Sequence, residues 1–343
     1  MSVGLRPSSL DEIIGNDNIK ETLKITIEAA KEEKRPVPHQ IFEGHTGCGK
    51  TTFARAIGKA QNGNFYETNA AGITSHVDLL NYFVRLKEND VLFIDEIHVL
   101  PKKLEEFSYP VMEDFEYSIN LEDVPLLSQL NLKFEESSTV SKFLRLKVPP
   151  FTLIGATTSI GGISSPLLDR FKGRHQLNPY SDSDIEKILR RSAGLLKVQL
   201  TDDAFVNLSK RCKSVPRIAN SRIEWLRDYS LSIRKQRLKP KDIEEGKLAT
   251  LTVEDVNKAM SMIDIDEDGL NNHDRQYLAA VDEMQPIGIQ SLAARTGFTI
   301  ETIQKEIEPY LLRCGKIKVT SGGRVTADYE EDFEDALKSF SLI

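Results

Sequence analysis

The chain reads as an α/β protein in which a parallel sheet wound with helices is followed by a small helical unit and a C-terminal winged helix-turn-helix. Three observations predict this. The runs "HQIFEG" (39–44), "VLFIDE" (91–96) and "FTLIGATT" (151–158) are continuously apolar rather than alternating, as in strands covered on both faces. Helical patterns lie between them, the signature of a wound sheet. Near the end, two short helical patterns joined by a Gly-containing turn precede a short hairpin.

Taken in order, "HQIFEG" is the first strand, followed by the loop "GHTGCGKT" and a helix from about Lys50 to Ala60. "VLFIDE" ends in two acids and "FTLIGATT" in threonines, completing a large domain over residues 1–182. From about Ser183 come "SDIEKILRRSAGLL", "TDDAFVNLSKRC", "RIANSRIEWLRDYSLSI" and "TVEDVNKAMSMI", several opening on a cap-like Ser, Thr or Asp. These define a helical unit over 183–263. Its basic stretch 234–247 is read as a solvated connector rather than a localisation signal. Residues 264–330 carry "GIQSLAARTG", "TIETIQKEIEPYL" and "GKIKVTSGGRVTA", the winged helix; residues 331–343 are an acidic tail or a final helix.

The totals exclude several classes. A net charge of −7 over 343 residues rules out a bulk polycation, so any nucleic acid must be met by a local basic surface. Cys48, Cys212 and Cys314 lie far apart with no CxxC pairing, which argues against a disulfide framework and a zinc site and fits a reducing cytoplasm. No apolar run approaches membrane-spanning length, and the N-terminus lacks a secretory stretch; no membrane partner is expected.

The chemistry begins at Gly44–Thr51, which fits GxxxxGK[ST]. Its glycines, Gly47 and Gly49 among them, let backbone N–H groups face phosphate oxygens, and the following helix adds its positive end. Lys50 is expected to reach the β- and γ-phosphates of ATP, and the Thr51 hydroxyl to bind Mg²⁺. A strand before the loop and a helix after it argue against a chance match. In "VLFIDEIH", Asp95 suits metal coordination and Glu96 suits polarising the attacking water as general base. Adjacent acids after a strand are only moderately specific alone; paired with the loop they become strong. His98 is assigned a structural or local role.

Three further signals point to the ring-forming AAA+ class. Thr158 stands at a strand's end, where a polar side chain senses the γ-phosphate. Arg170 closes "SSPLLDR" at a helix end, and Arg217 starts a lid helix in "SVPRIAN". A single arginine is ordinarily a surface salt bridge; the ordered set of loop, acids, sensor, finger and lid arginine defeats that reading.

With these residues in place, the chain resembles the RuvB family of Holliday-junction branch-migration motors. The stretches "LRPSSLDEIIGN", "GKTT", "NDVLFIDEIH", "YPVMEDF", "PPFTLIGATT", "SSPLLDRF", "VPRIANSRIEWLRDY", "GLNNHDRQYL" and "EPYLLRCG" run in the family's order from residue 5 to about residue 327. The resemblance implies that Leu5, Arg6 and Tyr180 line the nucleotide pocket with Gly47, Lys50, Thr51 and Thr52. It makes Glu113, Asp114 and Phe115 a nucleotide-proximal stretch and Arg217 a phosphate contact from the lid. It implies that Arg170 acts in trans on a neighbour's ATP in a homo-oligomeric ring, expected to be a hexamer. It implies duplex and branched DNA as partners, gripped through phosphates by the winged helix.

The departures qualify this. On the wing, Val319 and Gly322 replace two of the family's arginines, leaving Arg324 with Lys316 and Lys318 as the expected DNA contacts. The inserted β-hairpin at about 115–148 is longer than the family's and offers Val124, Leu126, Leu127, Leu130, Leu132 and Phe134. These either pack on their own domain or dock a RuvA-like junction-binding protein, or a divergent substitute. His45 and Thr46 replace prolines, Cys48 a leucine and Ser159 a basic residue; none removes a catalytic group. The leading expectation is an ATP-driven translocase on duplex DNA. The alternative is an AAA+ loader or recruitment switch that uses ATP to assemble another protein on DNA. An unfoldase fits less well, because "NAAGITSHVDLL" has no aromatic pore-loop residue. Thiol alkylation at Cys48 is expected to inhibit the ATPase.

Overall fold

A computed structural model describes residues 4–120 and 143–329. In chain order its first part holds α1 (Asp17–Glu32), β1 (Gln40–Glu43), α2 (Lys50–Ala60), β2 (Phe65–Asn69), α3 (His76–Phe83), β3 (Val91–Asp95) and α4 (Lys102–Asp114). There follow β4 (Glu116–Asn120), β5 (Phe143–Lys147), β6 (Thr152–Thr157), α5 (Ser165–Arg170), β7 (Gly173–Gln176) and α6 (Asp182–Leu196). A five-stranded sheet runs β2-β3-β6-β1-β7, every pairing parallel.

The apolar runs are continuous because the three central strands are covered on both faces. Side chains alternate along a strand. Ile41, Leu92, Ile94 and Leu153 therefore pack on one side with Leu79, Phe83, Leu104 and Val111 of α3 and α4. Phe42, Val91, Phe93, Ile154 and Ala156 pack on the other side with Leu23 and Ile27 of α1 and Phe53 and Ile57 of α2. Two strands, β2 "FYETN" and β7 "GRHQ", escaped the sequence reading. Each pairs with a single neighbour at a sheet edge, so neither needs an apolar run.

β4 and β5 pair antiparallel, Glu116 opposite Lys147 and Asn120 opposite Phe143, which forms the root of the expected hairpin. Val124, Leu126, Leu127, Leu130, Leu132 and Phe134 lie outside the described residues, as does the 331–343 tail.

Backbone contacts sort the chain into two units. The first holds the residues up to Leu196 together with Ser214–Ser221. The second holds Lys197–Lys213 and the chain from Arg222 onward. The division does not follow the 182/183 boundary, because α6 is tied to the N-terminal segment: Arg191 donates to Leu5 O (2.8 Å) and to Glu12 Oε2 (3.0 Å).

The remaining helices are α7 (Asp202–Lys210), α8 (Pro216–Arg237), α9 (Pro240–Glu244), α10 (Val253–Ser261), α11 (Asn272–Met284) and α12 (Ile289–Thr296). Capping boxes at Thr252/Asp255 and Asn271/Asp274 start α10 and α11. Gly297, at φ +75°, ends α12 and turns the chain into α13 (Ile300–Thr302), a π-turn (Ile303–Ile307) and α14 (Glu308–Arg313). The hairpin β8 (Ile317–Val319) and β9 (Arg324–Thr326) completes a winged helix on Tyr277, Val281, Leu292, Ile303, Ile307, Leu311 and Ile317. Among the described residues no helix is long and apolar enough to cross a membrane.

Candidate active site

The loop after β1 folds back over its own lysine. Lys50, the first residue of α2, donates to Gly44 O (2.7 Å) and His45 O (3.3 Å), and only 7% of it is exposed. Gly47 and Gly49 sit at φ +81° and +109°, where side chains are disfavoured. Contacts add a second reason at Gly47: a Cβ there would meet Val215 at 2.8 Å and the Arg217 Cβ at 3.1 Å. Arg217 thus stands beside the loop within the first unit. Its short approach is possible because position 47 carries no side chain.

Tyr180 covers the loop from another side, its hydroxyl 3.3 Å from where a Gly49 Cβ would be. Burial pushes this phenol up to about 12, so it stays neutral. Its ring rests on Gly15, where a Cβ would lie 3.0 Å from it. Gly15 and Arg191 are supporting residues that sequence reasoning missed. The first is a lone glycine in a helix-entry turn, the second a surface-type arginine in an amphipathic helix, and neither pattern names its distant partner. Leu5 is buried and pinned through its carbonyl by Arg191; Arg6 is exposed.

The acids stand at the carboxyl end of β3. Burial raises Asp95 above the usual carboxylate range, opposed by the nearby Lys50 charge. Glu96 occupies the left-handed region (φ +50°), a conformation costly for a non-glycine residue and typical of functional turns. Its N–H donates to Asp95 Oδ1 (3.1 Å). Its Oε2 accepts from Thr158 Oγ1 (3.1 Å) and lies 3.2 Å from His98 Nδ1, which is also 3.0 Å from Thr157 Oγ1. Thr158 and Glu96 are therefore in direct contact, and His98 sits against the same carboxylate.

Lys50, Thr51, Thr52, Asp95, Glu96, Thr158, Tyr180 and Arg217 gather around the carboxyl ends of β1, β3 and β6. The glycine cradle, the ammonium and the Asp95 carboxylate form a donor set that fits a nucleoside triphosphate with a divalent cation. Glu113, Phe115 and Arg170 are elsewhere. They line a groove of about 690 Å³ with Pro38, His39 and Phe151, at the amino ends of the same strands. Register fixes this: Gln40 at the start of β1 pairs with Gly173, three residues after Arg170. Asp114, exposed, ends α4 beside them. Within one chain, Glu113, Asp114 and Phe115 therefore do not belong to the wall around Lys50. Arg170 donates to Pro166 O (2.6 Å) and pairs with Glu113 Oε1 (3.0 Å).

The expected DNA contacts divide as well. Arg324 is not a free surface cation: its Nε donates to Glu308 Oε1 (2.8 Å), the buried carboxylate that also accepts from the Tyr277 hydroxyl (2.7 Å). Removing that guanidinium would leave a buried charge unpaired, so its first role is structural. Lys316 pairs with Asp268 (2.7 Å), and Lys318 donates to Ala327 O (2.8 Å). Both are surface partners that a phosphate can replace.

Cys48 corrects one expectation. Its Sγ packs where a Gly44 Cβ would be, at 2.8 Å, and burial raises the thiol, so thiolate is scarce. Rapid alkylation at Cys48 is therefore not expected. Under limiting maleimide, Cys314, which is exposed, is labelled first, and Cys48 reacts at least about tenfold more slowly. Peptide mapping of labelled protein over time checks this; equal rates would contradict the packing.

Comparison with known proteins places this geometry in context. The family model described as the Holliday junction DNA helicase RuvB P-loop domain matches residues 5–177. The RuvB AAA lid domain matches 180–266, and the RuvB C-terminal winged helix domain matches 267–329. The Holliday junction branch migration complex subunit RuvB of Phytoplasma mali (strain AT) is 39% identical over 324 residues, covering 94% of this chain and 90% of that protein. Its counterpart in Prochlorococcus marinus is 34% identical over 342 residues, covering 99% and 89%. Among solved structures, the Thermotoga maritima RuvB Holliday junction branch migration motor superposes with a TM-score of 0.76 at 32% identity, covering 97% of this chain and 98% of that one.

Proposed function

The chain belongs to the RuvB family of AAA+ ATPase DNA motors, and from that premise we propose that it forms a hexameric ring that uses ATP and Mg²⁺ to pull duplex DNA and drive branch migration of Holliday junctions. One observation carries the ring: the phosphate loop with Asp95, Glu96 and Thr158 sits at the carboxyl ends of the strands, and Arg170 sits at the amino ends. A finger on the far edge of the sheet serves a neighbour's nucleotide, so the catalytic site is complete only between subunits.

In this reading Gly47, Gly49, Lys50 and Thr52 hold the phosphates, with Leu5, Arg6 and Tyr180 around the rest of the nucleotide. Thr51 and Asp95 hold Mg²⁺, which supplies charge neutralisation on the transferred phosphoryl group. Glu96 orients and deprotonates the attacking water, Thr158 fixes the Glu96 carboxylate, and Arg217 answers the phosphates from the lid. Glu113, Asp114 and Phe115 accompany Arg170 toward the neighbour's nucleotide. The three domains are residues 1–182, 183–263 and 264–330, with Lys316 and Lys318 as phosphate contacts on DNA. The hairpin at 115–148 receives a RuvA-like partner, and the protein works in the cytoplasm.

Addition of duplex DNA is expected to stimulate ATP turnover, and a synthetic four-way junction with a RuvA-type protein is expected to resolve into two duplexes in an ATP-dependent way. Turnover unaffected by DNA and partner, with the junction left intact, would overturn the proposal. The uncharged wing tip, with Val319 53% exposed and Arg324 engaged internally, favours one second reading, an ATP-driven loader. A single loading event per binding, in place of continuous movement along DNA, would select it.

A further inference from the structure

We infer that Tyr109 is a positioning residue for the Arg170 finger, an inference that rests on the trans-acting role just proposed. Arg170 closes α5, a helix of six residues. Its guanidinium carbon lies 4.0 Å from the centre of the Tyr109 ring, a close cation–π geometry. The same tyrosine holds the other end of α5: its hydroxyl is 3.1 Å from the Oγ of Ser164, the N-cap residue that accepts from Leu167 N (3.4 Å). Ser164 Oγ in turn donates to Glu105, whose carboxylate belongs to a buried residue.

One side chain thus fastens both the start of the finger helix and the charged group at its end. Glu105, Tyr109 and Glu113 are spaced by four along α4, so they form one stripe facing α5. Arg170's other contacts set its direction less firmly. The Pro166 carbonyl belongs to α5 itself, and the Glu113 side chain is more than half exposed, where an ion pair is weak. The Arg170 Nε is buried with no hydrogen-bond partner among the described residues, leaving one donor of a fixed guanidinium unused. A ring face orients a guanidinium without taking up its N–H groups, so the Pro166 and Glu113 contacts are the ones that a phosphate oxygen would displace.

The test compares full-length Tyr109→Phe, Tyr109→Leu and Arg170→Ala, each first shown to melt within a few degrees of wild type. Tyr109→Phe keeps the ring face and is expected to retain kcat within about threefold. Tyr109→Leu keeps bulk without the face and is expected to lose about tenfold in kcat, with the KM for ATP changed less than about twofold. Mixing Tyr109→Leu with Glu96→Gln subunits, which offer an intact finger, is expected to restore turnover at the Tyr109→Leu sites. Equal activity of the Leu and Phe variants, or a Leu defect that mixing does not rescue, overturns the inference. Full activity of Arg170→Ala would instead overturn the finger itself, so the two failures are told apart.

Discussion

Glu96→Gln is expected to bind ATP within about twofold of wild type and to hydrolyse it at least ~100-fold more slowly, the usual scale for losing a general base. The substitution keeps the shape of the side chain, and its amide oxygen can still accept from Thr158 Oγ1, so the turn at φ +50° has no new reason to rearrange. The lost property is the negative charge able to take a proton from water. On the proposed reading Asp95, which burial lifts against the opposing Lys50 charge, would hold the metal and would not substitute for Glu96. A fluorescent-nucleotide titration and a single-turnover assay on the same protein separate binding from chemistry. Normal turnover in this variant would remove Glu96 from the mechanism.

Arg170→Ala is expected to cost about 10³-fold in turnover, in line with the effect of fingers on phosphoryl transfer. ATP affinity should remain near wild type, because Arg170 is at the opposite end of the sheet from Lys50 in its own chain. A modest loss of stability should accompany it: the Arg170 side chain is only 19% exposed, donates to Pro166 O and lies over the Tyr109 ring, although its ion-pair partner Glu113 is 54% exposed. Mixed with Glu96→Gln subunits, the variant should regain part of its activity, since each supplies what the other lacks. Turnover that stays flat across all mixing ratios would place the finger's action within one chain, against the geometry.

How much of this was legible in the chain alone follows from how local each feature is. The phosphate loop, the acids after "VLFI" and the threonine after "LIGAT" are each written within a few residues of a buried strand. The strand's burial on both faces produces the apolar run, and its end exposes the next residues, so pattern and position arrive together. The edge strands β2 and β7 carry no such run and were invisible. The contact between His98 and Glu96 was also hidden, because it depends on how a short turn after β3 closes against the end of β6.

By itself, then, the sequence determined the nucleotide chemistry, the order of the domains and the family, since all three rest on short motifs whose meaning is set by local backbone geometry. Tertiary structure alone decided which residues face one another. It separated Glu113, Phe115 and Arg170 from the phosphate loop, because a parallel sheet sends its two strand ends to opposite edges. It engaged Arg324 with Glu308 and Tyr277, whose partnership spans distances along the chain that no motif records. It buried Cys48 against Gly44, turning a reactive-looking thiol into a packing atom, because accessibility is a property of neighbours and not of residue type.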